Sequence, residues 1–238
     1  MILQAGEAAA SGPGLLRVED VITRFDGVTA LNGLTLSLAA GESLGISGPN
    51  GCGKTTLVNV ISGFVRAEQG RVWLGDTEIT RWPPHRVVRA GIARTFQRPR
   101  LAFRMTVEQN LEAATLHRNL RARKRRQVVN QVLSIAGLEP LRAREAWTLS
   151  LGAIRRVEVG RALATGGTVV LLDEPFASLS PDDAPEVFSV LRRLKREGVS
   201  MLIIAHGFGV FHTLCDRVAV IEAGRVIRAG RPAEVLRG

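Results

Sequence analysis

The chain has 238 residues, 45% of them apolar, which suffices for a packed core in one or two domains; its longest apolar stretches are strand-sized, so a membrane-spanning helix of roughly 20 residues is not expected. The formal charge of +10 and a pI near 11.2 come mostly from arginine and imply anionic company: a membrane surface, nucleic acid or a phosphorylated ligand. Two cysteines, Cys52 and Cys215, exclude a disulfide framework or a cysteine metal cluster, and 5% aromatic content with no tyrosine leaves few platforms for stacking bases.

The first 14 residues, MILQAGEAAASGPG, carry Glu7 and no basic region ahead of their short apolar start, so they read as a flexible leader and not as a secretory signal. Residues 15–238 are expected to form the folded unit, in the cytosol. Leu15 to Phe25 and Thr29 to Leu38 suit strands of an antiparallel layer, broken at the turn dipeptides Asp26-Gly27 and Asn32-Gly33. Phe25 stands at the end of the first, where its ring could stack on an adenine base.

Glu42 to Ile46 reads as a strand, and Leu57, Val58, Val60 and Ile61 give the apolar face of a helix. Between them Gly48-Pro49-Asn50-Gly51-Cys52-Gly53-Lys54-Thr55 fits G-x-x-x-x-G-K-[ST] in the strand–turn–helix setting that a phosphate loop requires. Glycines let backbone N–H groups curl around phosphate oxygens, and the helix points its positive dipole end at the same place. Lys54 is expected to reach the β- and γ-phosphates, and Thr55 to bind Mg2+.

Gly70 to Gly75 continues the β character, and Pro84 to Arg89 reads as a short helix. A strand-like run from Gly91 ends on Gln97 and is stopped by Pro99. Thr106 with Gln109 makes a capping box for a helix from Val107, while the basic run from Arg118 to Arg126 reads as a solvated face. Val128 to Ile135 resumes a helix closed by Gly137.

Ser150 and Gly152 precede another helix whose N-terminus suits phosphate. Thr168 to Leu172 is an apolar strand that ends in Asp173-Glu174-Pro175; two acids there are costly unless a cation or reacting group joins them. Asp173 is expected to hold Mg2+, and Glu174 to polarise the attacking water. Ser180-Pro181 reads as a helix start, with Val187, Leu191 and Leu194 on its buried face. Ser200 to Ala205 is a further buried strand, which places His206 at the level of the phosphates; Asp216 to Ala223 and Arg225 to Ala229 finish the chain as short strands.

With the phosphate loop, Gln97, LSLGAIRRVEVGRALA, LLDEP and His206 in this order, the sequence from about Leu15 to Leu236 resembles the ATP-binding subunit of ABC transporters. The phrases GPNGCGKTTLVNVISGF, GIARTFQRPRL and MTVEQNL resemble the branched-chain amino acid importer type. The resemblance implies an α/β fold: a RecA-like P-loop NTPase core, an antiparallel β subdomain and an inserted helical subdomain at about residues 101–164. It implies ATP and Mg2+ as cofactors, and an ATPase that works as a homo- or heterodimer with transmembrane permease subunits, and indirectly with a solute-binding protein, on the inner face of the cell membrane. Nucleic acid is not expected as a partner.

Carried over by residue, Phe25 would stack on adenine, Gly48 to Thr56 (Gly48, Pro49, Asn50, Gly51, Cys52, Gly53, Lys54, Thr55 and Thr56) would wrap the phosphates, and Gln97 would sense Mg2+ and the water while contacting the transmembrane partner. Ser150 and Gly152 would hold the γ-phosphate of the opposite subunit, and His206 would complete the site. The chain departs from the family pattern in LSLGA, where Leu151 and Ala153 replace Gly or Tyr and Gln or Glu, in Ser178-Leu179-Ser180 after the two acids, and at Gly207. The DEPFA phrase, Asp173 to Ala177, also resembles the ATPase of lipopolysaccharide export, which is the alternative function; a nucleic-acid-associated ABC ATPase is suggested by charge alone.

Overall fold

The computed structural model describes residues 14–236, so the expected leader, Gly14 apart, lies outside the described residues. Strands β1 (Leu16–Phe25) and β2 (Val28–Leu38) form the first hairpin, turned at Asp26 and Gly27 with φ of 45° and 83°, the left-handed pair that a tight hairpin needs. Asn32-Gly33 is not the second turn expected for it. Gly33 (φ 69°) is passed over between the pairs Val21↔Leu34 and Ile22↔Asn32, so it is a bulge inside β2. The hairpin continues through β3 (Ser43–Ser47), α1 (Lys54–Ile61), β4 (Gln69–Leu74) and β5 (Thr77–Glu78).

Next come α2 (Pro84–Ala90), β6 (Ile92–Arg94), α3 (Val107–Thr115), α4 (Ala122–Ile135) and α5 (Leu151–Ala164). The capping box predicted at Thr106 and Gln109 is present, whereas β6 ends at Arg94, three residues short of Gln97. The chain finishes with β7 (Val169–Asp173), α6 (Ala184–Arg196), β8 (Ser200–Ile204), α7 (Phe208–Leu214), β9 (Arg217–Glu222), β10 (Arg225–Gly230) and α8 (Pro232–Val235). Helix α6 starts after Asp183, not directly after Ser180, because residues 181–183 form a turn first; Ser180 caps that turn by accepting from the Asp183 backbone N–H.

Two sheets result, one of order β2-β1-β4-β5 and fully antiparallel, the other of order β10-β9-β3-β8-β7-β6 and parallel except for β10. Period-two alternation divides the larger sheet between two cores. Leu44, Ile46, Val169, Leu171, Leu202 and Ile204 face α1 and the antiparallel sheet. Val170, Leu172, Met201, Ile203 and Val218 face the helical side with Val107, Leu111, Val132, Val157 and Leu191. The central strands are buried on both faces, hence their unbroken apolar runs.

Parallel register sets the functional edge. Ile46 of β3 pairs with Ile204 of β8, and Ile204 with Asp173 of β7, so the segments after these strands leave the sheet side by side at their carboxyl ends.

Candidate nucleotide site

The loop between β3 and α1 turns through Gly48, Gly51 and Gly53, with φ of 146°, 79° and 108°. A Cβ at Gly48 would run into the Ile221 carbonyl and one at Gly53 into the Ala30 carbonyl, so the loop is clasped between β9 and β2 at these two positions, while Gly51 faces open space and is required for its positive φ. The turn after β9 closes the clasp: Gly224 N–H donates to the Cys52 carbonyl at 3.1 Å, and Asn32 N–H to the Gly224 carbonyl at 2.9 Å. Lys54 is buried in the first turn of α1, and its Nζ donates to the Gly48 and Pro49 carbonyls at 2.8 Å each. The loop thereby holds its cation over the helix N-terminus, where anion binding is favoured by dipole and N–H groups alike. Thr55 is exposed beside it and Thr56 half-buried.

Asp173 and Glu174 diverge at the end of β7. Asp173 is buried, and its Oδ2 accepts from Arg94 Nη2 at 3.1 Å while its Oδ1 is buried without a partner. Burial raises the pKa of this carboxyl, against the opposing charge and hydrogen bond of Arg94. An orphaned hard oxygen with exposed Thr55 at the start of α1 fits Mg2+, an ion that keeps several water and phosphate ligands and needs few from the protein. Among the described residues no cluster of three or more His, Cys, Asp or Glu forms a protein cage for a metal.

Glu174 takes a positive φ of 51°, uncommon for a residue with a Cβ, and its N–H donates to the Ile204 carbonyl at 3.0 Å. That turn sends its carboxylate to the surface, where Oε2 accepts from Gln97 Nε2 at 3.1 Å and Oε1 lies 3.3 Å from His206 Nε2. Three segments distant in sequence thus meet on one carboxylate. The arrangement can orient a water molecule and take its proton, with both neighbours fixing the oxygen positions.

Two supporting arginines carry no motif of their own and escape a reading of the sequence. Arg94 Nη1 donates to Asn59 Oδ1 at 2.6 Å and Ser62 Oγ at 3.0 Å, tying α1 to Asp173. Arg155 donates to the Phe96 and Gln97 carbonyls at 3.0 and 2.8 Å and to Glu158 Oε2 at 3.0 Å, which anchors the segment bearing Gln97. Their only sequence signal is an arginine set among the apolar residues of a strand or helix.

The remaining expected residues lie apart from this cluster. Phe25 is 45% exposed at the tip of the first hairpin. Ser150 caps α5 by accepting from Ala153 N–H at 3.2 Å, and its hydroxyl donates to Asp183 Oδ1 at 2.8 Å; Gly152 packs against the same carboxylate. Among the described residues, Ser150 and Gly152 make no hydrogen bond to the phosphate loop, to Asp173 or to Glu174. A separate cleft of about 470 Å³ runs beside the site, lined by Phe64, Phe96, Arg94, Arg100, His117 and Arg161 among others. Its Phe96 ring contacts two guanidinium groups, with the Arg94 Cζ 4.8 Å and the Arg100 Cζ 4.3 Å from the ring centroid.

Comparison with known proteins agrees with this architecture. The family model for ABC transporters matches residues 31–177. The chain is 34% identical over 236 residues to a probable branched-chain amino acid transport ATP-binding protein LivG of Methanocaldococcus jannaschii, covering 94% of this chain and 92% of that one. It is 32% identical over 222 residues to the lipopolysaccharide export system ATP-binding protein LptB of Escherichia coli K12, covering 93% and 92%. Among solved structures, a nucleotide-free ATP-binding cassette from an ABC transporter superposes with a TM-score of 0.84 at 33% identity, covering 94% and 95% of the two chains. The ADP conformation of the cassette MJ1267 superposes with a TM-score of 0.83 at 33% identity, over 94% and 93%. With fold, phosphate loop and paired acids in agreement, the chain belongs to the ABC transporter family, as an ATP-binding subunit that hydrolyses ATP.

Proposed function

We propose that this subunit powers the import of branched-chain amino acids or related small solutes, from the cytoplasmic face of the cell membrane, as one of two ATPase subunits beneath transmembrane permease subunits fed by a solute-binding protein. The Glu174 carboxylate, bracketed by Gln97 and His206 beside the orphaned Asp173 oxygen, is the observation that carries the chemistry. Lys54 and the loop from Gly48 to Thr56 bind the phosphates; Asp173, Thr55 and Gln97 hold Mg2+, which supplies charge neutralisation on the phosphates. Glu174 orients the water and accepts its proton, and His206 completes the site. Phe25 stacks on the adenine. Ser150 and Gly152 serve the nucleotide of the opposite subunit, a reading supported by their contacts going to Asp183 and not to this chain's own phosphate loop.

No helix among the described residues is long and apolar enough to cross a membrane, so the transmembrane path in this reading belongs to other chains. The cleft beside Phe96 is the docking place we assign to the permease, because the adjoining Gln97 reaches Glu174 and would carry the effect of an occupant to the catalytic carboxylate. Likeness to LivG supports the amino-acid reading. Likeness to LptB keeps lipopolysaccharide export as a second reading.

Glu174→Gln tests the chemistry: turnover should fall by about 10² to 10³ while ATP affinity survives, since size and hydrogen bonding persist and only the base is lost. Hydrolysis at the parent rate removes the role. The solute is tested by reconstituting the subunit with its permease: stimulation of ATPase by leucine-loaded binding protein is expected, and stimulation by lipopolysaccharide instead transfers the assignment.

A further inference from the structure

The N-terminus of α5, read above as the place for the partner's γ-phosphate, already holds an anion from its own chain. Asp183 Oδ1 accepts from the Ser150 hydroxyl at 2.8 Å, and the carboxylate packs directly on Gly152, where a Cβ would lie 2.5 Å from Oδ1 and 2.6 Å from the Asp183 Cβ. On its other side Asp183 Oδ2 accepts from Ser180 Oγ at 3.1 Å, and Asp183 N–H donates to that same Ser180 oxygen at 3.1 Å. One departure from the family pattern, Ser180, therefore has a structural use. Ser180 orients the carboxylate, and the turn of residues 181–183 ahead of α6 carries it across to α5.

The Ser150 hydroxyl has one proton and gives it to Asp183, while its oxygen already accepts from Ala153 N–H. It has no donor left for a phosphate oxygen. A carboxylate on this hydroxyl also repels a second anion approaching it. The hydrogen bonds from Ser150 and Ser180 hold the Asp183 carboxyl below its usual range, so it is ionised at neutral pH.

We infer that Asp183 is an intramolecular stand-in for the partner's γ-phosphate, a positioning residue that must withdraw from Ser150 and Gly152 before two subunits close on ATP, and so sets the ATP level at which they close. The inference rests on the shared-site reading above. It differs from that reading in predicting that removing a charge helps closure.

The test uses the full chain carrying Glu174→Gln, with ATP-dependent dimerisation followed by sedimentation and binding of a fluorescent ATP analogue to the monomer followed separately. Asp183→Asn should lower the ATP concentration for half-dimerisation about fivefold, within the range of coupling effects between sites. Ser180→Ala should lower it by less, since it frees one oxygen of the carboxylate only. Affinity of the monomer for the analogue should not move, because that uses the phosphate loop. Dimerisation by Asp183→Asn where its parent stays monomeric supports the inference equally. An unchanged or raised midpoint overturns it, as does failure of both proteins to dimerise, since release of Asp183 then achieves nothing; a purely structural Asp183 would lower the melting temperature and raise the midpoint. The shared-site reading is judged separately, by Ser150→Ala in the Asp183→Asn background: no loss of dimerisation there sinks that reading.

Discussion

The two halves of the proposed nucleotide site are built differently. The half around Lys54, Asp173 and Glu174 grows from the packed sheet: Lys54 and Asp173 are buried, Gly48 and Gly53 are wedged against backbone, and the acids come at the end of a strand buried on both faces. In the half around Ser150 the hydroxyl is exposed and is held by one carboxylate and a helix cap, although Gly152 and Ala153 behind it are buried. Geometry tied to a core is rigid, because moving it disturbs close-packed neighbours; geometry tied by exposed hydrogen bonds can change partner at small cost. The proposed site, completed by a second subunit, would use both properties.

The contrast is most sharply tested in the buried half. Removing Arg94 leaves the Asp173 carboxyl buried without its counter-charge, so Arg94→Ala should lower unfolding free energy by about 3 kcal/mol, read by denaturant titration. A loss below about 1 kcal/mol would mean that this half is not held by its core. Lys54→Ala should reduce nucleotide binding and hydrolysis together, by about 2 to 4 kcal/mol at the transition state, measured as kcat/KM for ATP. Normal activity would remove the phosphate-loop assignment.

At the surface half, Ala153 gives a smaller effect with an instructive sign. From sequence alone, Ala153 stands where the family carries Gln or Glu, so Ala153→Gln would be expected to restore a hydrogen bond to the nucleotide and raise activity. The Ala153 side chain is only 4% exposed, however, and a longer side chain must displace packed neighbours. Ala153→Gln should therefore lose stability by about 1 to 3 kcal/mol by thermal or denaturant unfolding, with no gain in turnover. A gain would show that the turn relaxes to let the amide out.

The smallest effect is a pH slope at Glu158, on the buried side of α5. Burial raises its carboxyl pKa despite the adjacent Arg155. A carboxyl whose folded pKa lies above its unfolded value binds more protons when folded, so its stabilising contribution is present at low pH and is lost as pH rises from the ordinary carboxylate range through the raised value. Glu158→Gln removes that titration while keeping a group that accepts from Arg155. The stability of the parent relative to the variant should fall over that interval, and a pH-independent difference would contradict the burial argument.

Sequence by itself determined the buried half. A strand, a glycine-rich turn and a helix in succession suffice for the phosphate loop, and an apolar strand ending in two acids suffices for Asp173 and Glu174, because these motifs are local and their periodicities are set by backbone geometry. It also located Gln97, Ser150 and His206, and the resemblance supplied their expected roles. Only the tertiary structure decided what meets what. Gly33 became a bulge because β1 and β2 pair straight past it, and β6 stopped at Arg94 although β7 runs on to Asp173, with the Phe96 and Gln97 carbonyls accepting from Arg155 of α5. Arg94 and Arg155 acquired their positions from parallel register and helix packing, which bring together groups tens of residues apart with no local pattern to announce them. The meeting of Asp183 with Ser150 is of the same kind: each residue is an ordinary helix-start residue in sequence, and only the approach of α6 to α5 places the carboxylate on the other helix's N-terminus.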